Sequence, residues 1–178
     1  MFDEKTISKE KVYSGKVIDV ERQTVTLING NTAGREIVRH NGGACMAAVD
    51  RDMNFYLVRQ FRKAVERETL EIPAGKLEKG EDPYDCAVRE LKEETGLMAS
   101  RVSKLGFIYT TPGFCDEVLH IFLAEELVQA EKSPDPDEFV NCECFPLAAC
   151  VEMVENGEIC DAKTITAVLR TARRFGIH

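Results

Sequence analysis

No apolar run in this 178-residue chain approaches the roughly 20 residues a membrane-spanning helix needs. The opening stretch, MFDEKTISKEKVYSG, is charged and lacks an apolar h-region, so no secretory signal is expected. No basic cluster is present. Lys and Arg number 23 against 31 Asp and Glu, a formal charge of −8, which argues against a nucleic-acid backbone as the main partner. There is no CxxC pair, and four-ligand zinc spacing is missing. Repeats and low-complexity tracts are absent as well. These absences point to a cytoplasmic chain with neither a membrane nor a nucleic acid as partner.

What is present is an ordinary globular mixture, 44% hydrophobic and 30% charged, which argues against wholesale disorder. The length suits one domain, or one domain with a small appendage, and can bury a core without staples. Seven cysteines (Cys45, Cys86, Cys115, Cys142, Cys144, Cys150 and Cys160) form an odd set without a leader, as expected of free thiols in a reducing compartment. Their expected role is that of small apolar side chains in a core. Cys142 and Cys144, two apart, would share one face of a strand.

Residues 11–39 read as strands broken by the turn signal Asn29-Gly30-Asn31. CMAAV (45–49) and FYLVRQF (55–61) read as a buried hairpin, and Ile72-Pro73-Ala74-Gly75 closes a further extended piece. Asp82 is a candidate N-cap with Pro83 at the first helical position, and Gly96 supplies the stop after Thr95. Residues 105–109, 118–124 and 139–145 read as strands, 133–138 as an acidic loop, and 147–156 and 163–175 as amphipathic helices. Strands before, between and after helices predict a mixed α/β fold, and the first 40 residues form a candidate small sheet of their own.

Chemistry concentrates in GKLEKGEDPYDCAVRELKEETGL, residues 75–97. Glu90, Glu93 and Glu94 stand at i, i+3 and i+4, so they project from one side of the helix, with Ala87 and Leu91 expected on a different, apolar side. Two of these carboxylates lie in the last turn, where the macrodipole disfavours them by roughly 0.3–1 kcal/mol each. That cost is small enough for a merely solvated acidic face. The alternative is a hard divalent cation, which takes oxygen ligands, keeps waters and accepts substrate phosphates.

Gly75, five residues, Glu81, seven residues and then Arg89-Glu90-Leu91-Lys92-Glu93-Glu94-Thr95-Gly96-Leu97 fill every fixed position of the Nudix box. Seven identities at roughly 6% usage give a chance agreement of about 10⁻⁹ per start position. The wider chain resembles the ADP-ribose pyrophosphatase branch of the Nudix hydrolases. The likeness rests on Arg35-Glu36 ahead of Gly42-Gly43, on Arg59-Gln60-Phe61-Arg62, on Glu71-Ile72-Pro73-Ala74-Gly75, and on Pro112 sixteen residues after Gly96. Thr111-Pro112-Gly113-Phe114-Cys115-Asp116-Glu117 is similar to that branch's S-P-G-F-S-D-E loop, with Thr111 and Cys115 where it has serine. The acidic loop and Asp161-Ala162-Lys163-Thr164 complete the match.

The resemblance implies a Nudix α/β/α sandwich with a mixed sheet over residues 41–178, and a small N-terminal antiparallel sheet over 1–40 serving dimerisation and substrate contacts. It implies Mg²⁺, with Mn²⁺ as a substitute, held by Glu90, Glu93, Glu94 and the Ala74 carbonyl. Arg35, Glu36, Arg62 and Glu117 would bind substrate, since arginine forks onto phosphate oxygens and carboxylates accept from adenine or ribose donors. Glu138 would act as the base, with Glu93 as the second choice, while Glu81 and Arg89 would be structural. The activity implied is hydrolysis of the diphosphate of ADP-ribose, or of related ADP-sugars, to AMP and ribose 5-phosphate by a homodimer. The alternatives are a pyrophosphatase for another nucleotide sugar such as GDP-mannose, or a non-catalytic nucleotide sensor.

Overall fold

The computed structural model describes residues 2–131 and 140–177. Among these the chain runs β1 (Lys5–Ser14), β2 (Ile18–Thr26), β3 (Thr32–His40), β4 (Gly43–Val49), β5 (Asn54–Arg62), β6 (Arg67–Glu71), β7 (Ala74–Lys76), α1 (Pro83–Thr95), β8 (Leu97–Tyr109), β9 (Val118–Gln129), β10 (Asn141–Pro146), α2 (Leu147–Glu155) and α3 (Ala162–Phe175). Two compact units result, one of residues 1–42 and 109–118, the other of 43–108 and 119–178.

The first unit is an antiparallel sheet in the order β1-β2-β3. Its β2–β3 turn sits at the Asn-Gly signal: Gly30 takes φ +83°, and its N–H donates to the Leu27 carbonyl at 2.9 Å. The 109–118 segment is tied to β3, with the Val38 N–H donating to the Phe114 carbonyl at 2.7 Å. β1 is exposed at every position. It therefore carries no in–out alternation, which is why no separate strand is expected there from sequence.

The second unit is built on β4. GACMAAV is apolar throughout, the pattern of a strand covered on both faces, and it is buried throughout. Its odd positions, Cys45, Ala47 and Val49, pack with Leu147, Cys150, Ala167 and Val168 from α2 and α3. Its even positions, Ala44, Met46 and Ala48, pack with Cys86, Ala87 and Leu91 from α1. The sheet order is β10-β5-β4-β9-β8, with β6 paired to β5 and β7 to β4. β4 and β9 run parallel while β4–β5, β4–β7, β5–β6 and β5–β10 are antiparallel, so the sheet is mixed and sandwiched between helices as expected.

Three sequence expectations change. The strand expected at 105–109 begins at Leu97, because β8 is an alternating, half-covered strand whose charged positions hide its start. Of the seven cysteines only Cys45, Cys86 and Cys150 are buried; Cys142, Cys144 and Cys160 are exposed, the first two on β10 at one end of the sheet path. On α1, Glu90 and Glu94 do not sit apart from the apolar side but are buried beside Ala87 and Leu91. At 3.6 residues per turn, position 94 nearly overlies position 87.

Candidate active site

The α1 caps set where the carboxylates fall. The Asp82 side chain accepts from the Tyr84 N–H at 2.8 Å, Pro83 opens the helix, and Gly96 closes it at φ +71° with its N–H on the Lys92 carbonyl. Within these limits Glu90 and Glu94 point at β7, being 6% and 2% exposed. The Ala74 N–H donates to Glu94 Oε2 at 3.2 Å. Gly75 lies so close to the Glu90 carboxyl that a Cβ at position 75 would overlap it. The glycine is thus required by close approach of backbone to a functional side chain.

Arg89 knits the acidic groups together. Its Nη1 donates to Glu90 Oε1 at 2.6 Å and to Glu93 Oε2 at 2.9 Å, and its Nε donates to Glu81 Oε1 at 3.2 Å. Partial burial works against the guanidinium's charge, but these carboxylates outweigh it and raise its pKa. Glu81 is further held by the Glu78 N–H at 2.9 Å. Three carboxylates around one guanidinium leave the cluster negative.

Those donors fit a divalent cation. All are hard oxygens, and the close approach at Gly75 leaves the Glu90 carboxyl room that a side chain there would fill. Among the described residues no three His, Cys, Asp or Glu groups converge tightly enough to hold an ion alone. Waters and substrate oxygens would complete a shell, as hard small cations prefer.

A second cluster adjoins the end of β5. Arg62 donates from Nε and Nη2 to Glu71 Oε1 and Oε2 at 2.7 and 2.6 Å. Glu71 is 2% exposed and also accepts from the Thr69 hydroxyl at 2.6 Å and from the Lys163 ammonium. Burial alone would raise the Glu71 pKa, yet Arg62, Lys163 and Thr69 bring it down to about 2. Lys163 also reaches Asp161, the N-cap of α3, at 3.0 Å. Sequence patterns alone assign Glu71 and Lys163 no role. One available signal was a lysine in the first turn of a helix, where the dipole disfavours it unless an acid is at hand.

The first unit holds a cleft of about 540 Å³ lined by Arg35, Arg39, Gln23, Tyr109, Phe114 and Cys115 among others. Arg35 forks onto Glu4, with its Nε 3.0 Å from Glu4 Oε2. Glu36, next along β3, points to the opposite sheet face and does not line the cleft. Glu117 Oε1 lies 3.2 Å from His40 Nδ1. The Arg39 guanidinium holds Asp116, whose other oxygen accepts the His40 N–H at 2.9 Å. The structure thus places Arg35, Glu36 and Glu117 in the first unit, and Arg62, Ala74, Glu90, Glu93 and Glu94 in the second. Glu138 lies outside the described residues.

A NUDIX domain model matches residues 39–168. An ADP-ribose pyrophosphatase of Bacillus subtilis is 48% identical over 168 residues, covering 93% of this chain and 91% of that protein. A methanol dehydrogenase activator of Bacillus methanolicus is 42% identical, covering 94% and 92%. A GDP-mannose pyrophosphatase of Citrobacter koseri is 31% identical, covering 90% and 91%. A crystal structure of an ADP compounds hydrolase superposes with a TM-score of 0.86 over 98% of this chain and 95% of that one, at 23% identity, a likeness of fold.

Proposed function

The chain belongs to the Nudix family and is a Nudix hydrolase, and from that premise we propose that it hydrolyses the diphosphate of ADP-ribose to AMP and ribose 5-phosphate, with Mg²⁺ as its cation and Mn²⁺ as a substitute. The observation that carries this reading is the 48% identity to an ADP-ribose pyrophosphatase along nearly the full length of both chains. GDP-mannose pyrophosphatase is the weaker alternative, at 31%. A nucleotide sensor without catalysis is disfavoured by a box in which every fixed position is filled.

A bound divalent cation neutralises diphosphate charge and acidifies water. The protein's own part begins with Glu90 and Glu94, which offer buried carboxylate oxygens beside the Ala74–Gly75 backbone. Glu93, half-buried and on Arg89, is a third donor. Arg62 presents to phosphate oxygens the end of its fork that has no acceptor among the described residues. Water adds to one phosphorus, the bridging oxygen leaves with the electrons of the broken P–O bond, and the water's proton passes to a carboxylate base. Glu138 is the first candidate for that base and Glu93 the second. The first-unit cleft, with Arg35 at its wall, is the candidate seat for the nucleoside, and Glu36 and Glu117, which do not line that cleft, would contact substrate outside it.

We further propose a cytoplasmic homodimer joined through the N-terminal strands, residues 1–40, with 41–178 as the hydrolase domain. Support comes from β1, which exposes Ile7, Val12 and Tyr13 along its length. Among the described residues no helix is long and apolar enough to cross a membrane.

The deciding experiment is a panel of ADP-ribose, other ADP-sugars and GDP-mannose with Mg²⁺, reading nucleoside monophosphate and phosphosugar. ADP-ribose should give the highest kcat/KM; preference for GDP-mannose would overturn the assignment. For the base, Glu138→Gln should cost roughly 10²–10⁴-fold in kcat with KM and cation dependence kept. A nearly active Glu138→Gln beside a Glu93→Gln that stays dead at saturating Mg²⁺ would move the base to the helix.

A further inference from the structure

Arg62 ends β5 with its side chain 44% exposed, yet one edge of its guanidinium is already committed. Nε and Nη2 lie on Glu71, so Nη1 is the end with no protein acceptor among the described residues. The direction in which Nη1 points is set by the plane of the Glu71 carboxylate, because a fork bound by two parallel hydrogen bonds is held in that plane.

That plane is itself pinned. Oε1 receives the Thr69 hydroxyl at 2.6 Å as well as Arg62 Nε, and Oε2 receives the Lys163 ammonium as well as Arg62 Nη2. Lys163 is in turn fixed by Asp161, which caps α3 and accepts the Thr164 hydroxyl at 2.6 Å. Thr164 Oγ1 then accepts the Ile72 N–H at 2.9 Å, clamping α3 to the chain just beyond β6. Two cations and two carboxylates close the set at zero net charge.

A clamp between α3 and the sheet would not need Lys163. The Thr164–Ile72 bond and the Asp161 cap already provide one, and buried ion pairs contribute little net stability compared with apolar packing. Lysine in a first helical turn also opposes the macrodipole. What Lys163 adds is a second anchor on the oxygen that Arg62 Nη2 uses.

We infer that Lys163, acting through Glu71, is a positioning residue that sets the direction in which Arg62 offers its guanidinium to the substrate diphosphate. The inference rests on the reading of Arg62 as a diphosphate-binding residue.

The test is a double-mutant cycle on the full chain with Mg²⁺ and ADP-ribose. Lys163→Met should raise KM roughly 10-fold while kcat stays within about 3-fold, since an arginine that binds ground and transition states alike is lost from KM first. In an Arg62→Ala background the same substitution should raise KM no further. Thermal melts accompany each protein, and Lys163→Ala, which also removes the donor toward Glu71, replaces Lys163→Met should that variant not fold. A parallel readout needs no turnover: the ¹⁵N Nε–H resonance of Arg62, assigned by its loss in Arg62→Ala, should exchange with water faster in Lys163→Met than in the wild type.

An equal rise in KM with and without Arg62, or unchanged Nε–H exchange, would overturn the inference and leave Lys163 a structural residue. Should the wild-type protein leave ADP-ribose intact, the substrate reading falls by itself. Inorganic pyrophosphate binding then replaces KM in the cycle, and the exchange measurement still decides how Arg62 is held.

Discussion

At the scale of single residues, the informative feature is the burial of acidic side chains. Glu94 accepts the Ala74 N–H, and Glu94→Gln keeps that acceptor while removing a charge from an acidic cluster. We expect kcat to fall by about 10²-fold or more. Mg²⁺ should raise the Tm of the wild type more than that of the variant, since a ligand stabilises only as far as it binds the folded state. Full activity across a Mg²⁺ titration would remove Glu94 from the ligand set. Glu71 supports a different prediction. Its folded pKa, about 2, lies below the unfolded value near 4.3, so its contribution is complete above about pH 4.3 and drains as pH falls toward 2. The contribution at neutral pH is of order 3 kcal/mol. The gap in Tm between wild type and Glu71→Gln should therefore be widest near pH 6 and close on acidification; a gap that persists unchanged at pH 2.5 would show that folding leaves the Glu71 pKa where it is in the unfolded chain.

At the scale of elements, the meeting of β7 with α1 decides whether the carboxylates are useful. A methyl group at position 75 overlaps the Glu90 carboxyl, but that carboxyl is the far end of a flexible chain and can swing aside. Gly75→Ala should thus cost no more than about 1–3 kcal/mol of stability. Its kcat should fall at least 10-fold, with a higher Mg²⁺ requirement, because Glu90 is displaced. An active variant with normal Mg²⁺ response would mean that the close approach is incidental. This junction also shows what is legible in a sequence. Asp82, Pro83 and Gly96 announce α1 residue by residue, since caps are local chemistry, and the i, i+3, i+4 spacing announces the glutamates. The depth of Glu90 and Glu94 is not announced, because it depends on how closely β7 passes. The Glu71–Lys163 contact joins residues 92 apart in sequence, beyond the reach of any local pattern. β1 escapes for the opposite reason: exposed on both faces, it has no burial pattern to read.

At the scale of the whole molecule, the proposed nucleoside contacts lie in one compact unit, and the proposed diphosphate-binding and hydrolytic groups in the other. The division has a kinetic consequence. If the first-unit cleft seats the nucleoside, Arg35→Ala should raise KM for ADP-ribose about 10-fold and leave kcat nearly intact, while weakening product inhibition by AMP to a similar degree. Arg35 already has Glu4 as a partner, so the substitution leaves one exposed carboxylate unpaired and should move Tm little. Glu94→Gln acts on kcat instead. Residues without shared partners add in free energy, so the Arg35→Ala and Glu94→Gln effects on kcat/KM should multiply within about twofold. Lys163 and Arg62, which share Glu71, should not multiply. The pair of cycles therefore reads the architecture directly: additivity between units, coupling inside one. Strong coupling between Arg35 and Glu94 would mean that nucleoside binding assembles the carboxylate site, and binding and chemistry would then have to be treated as one event.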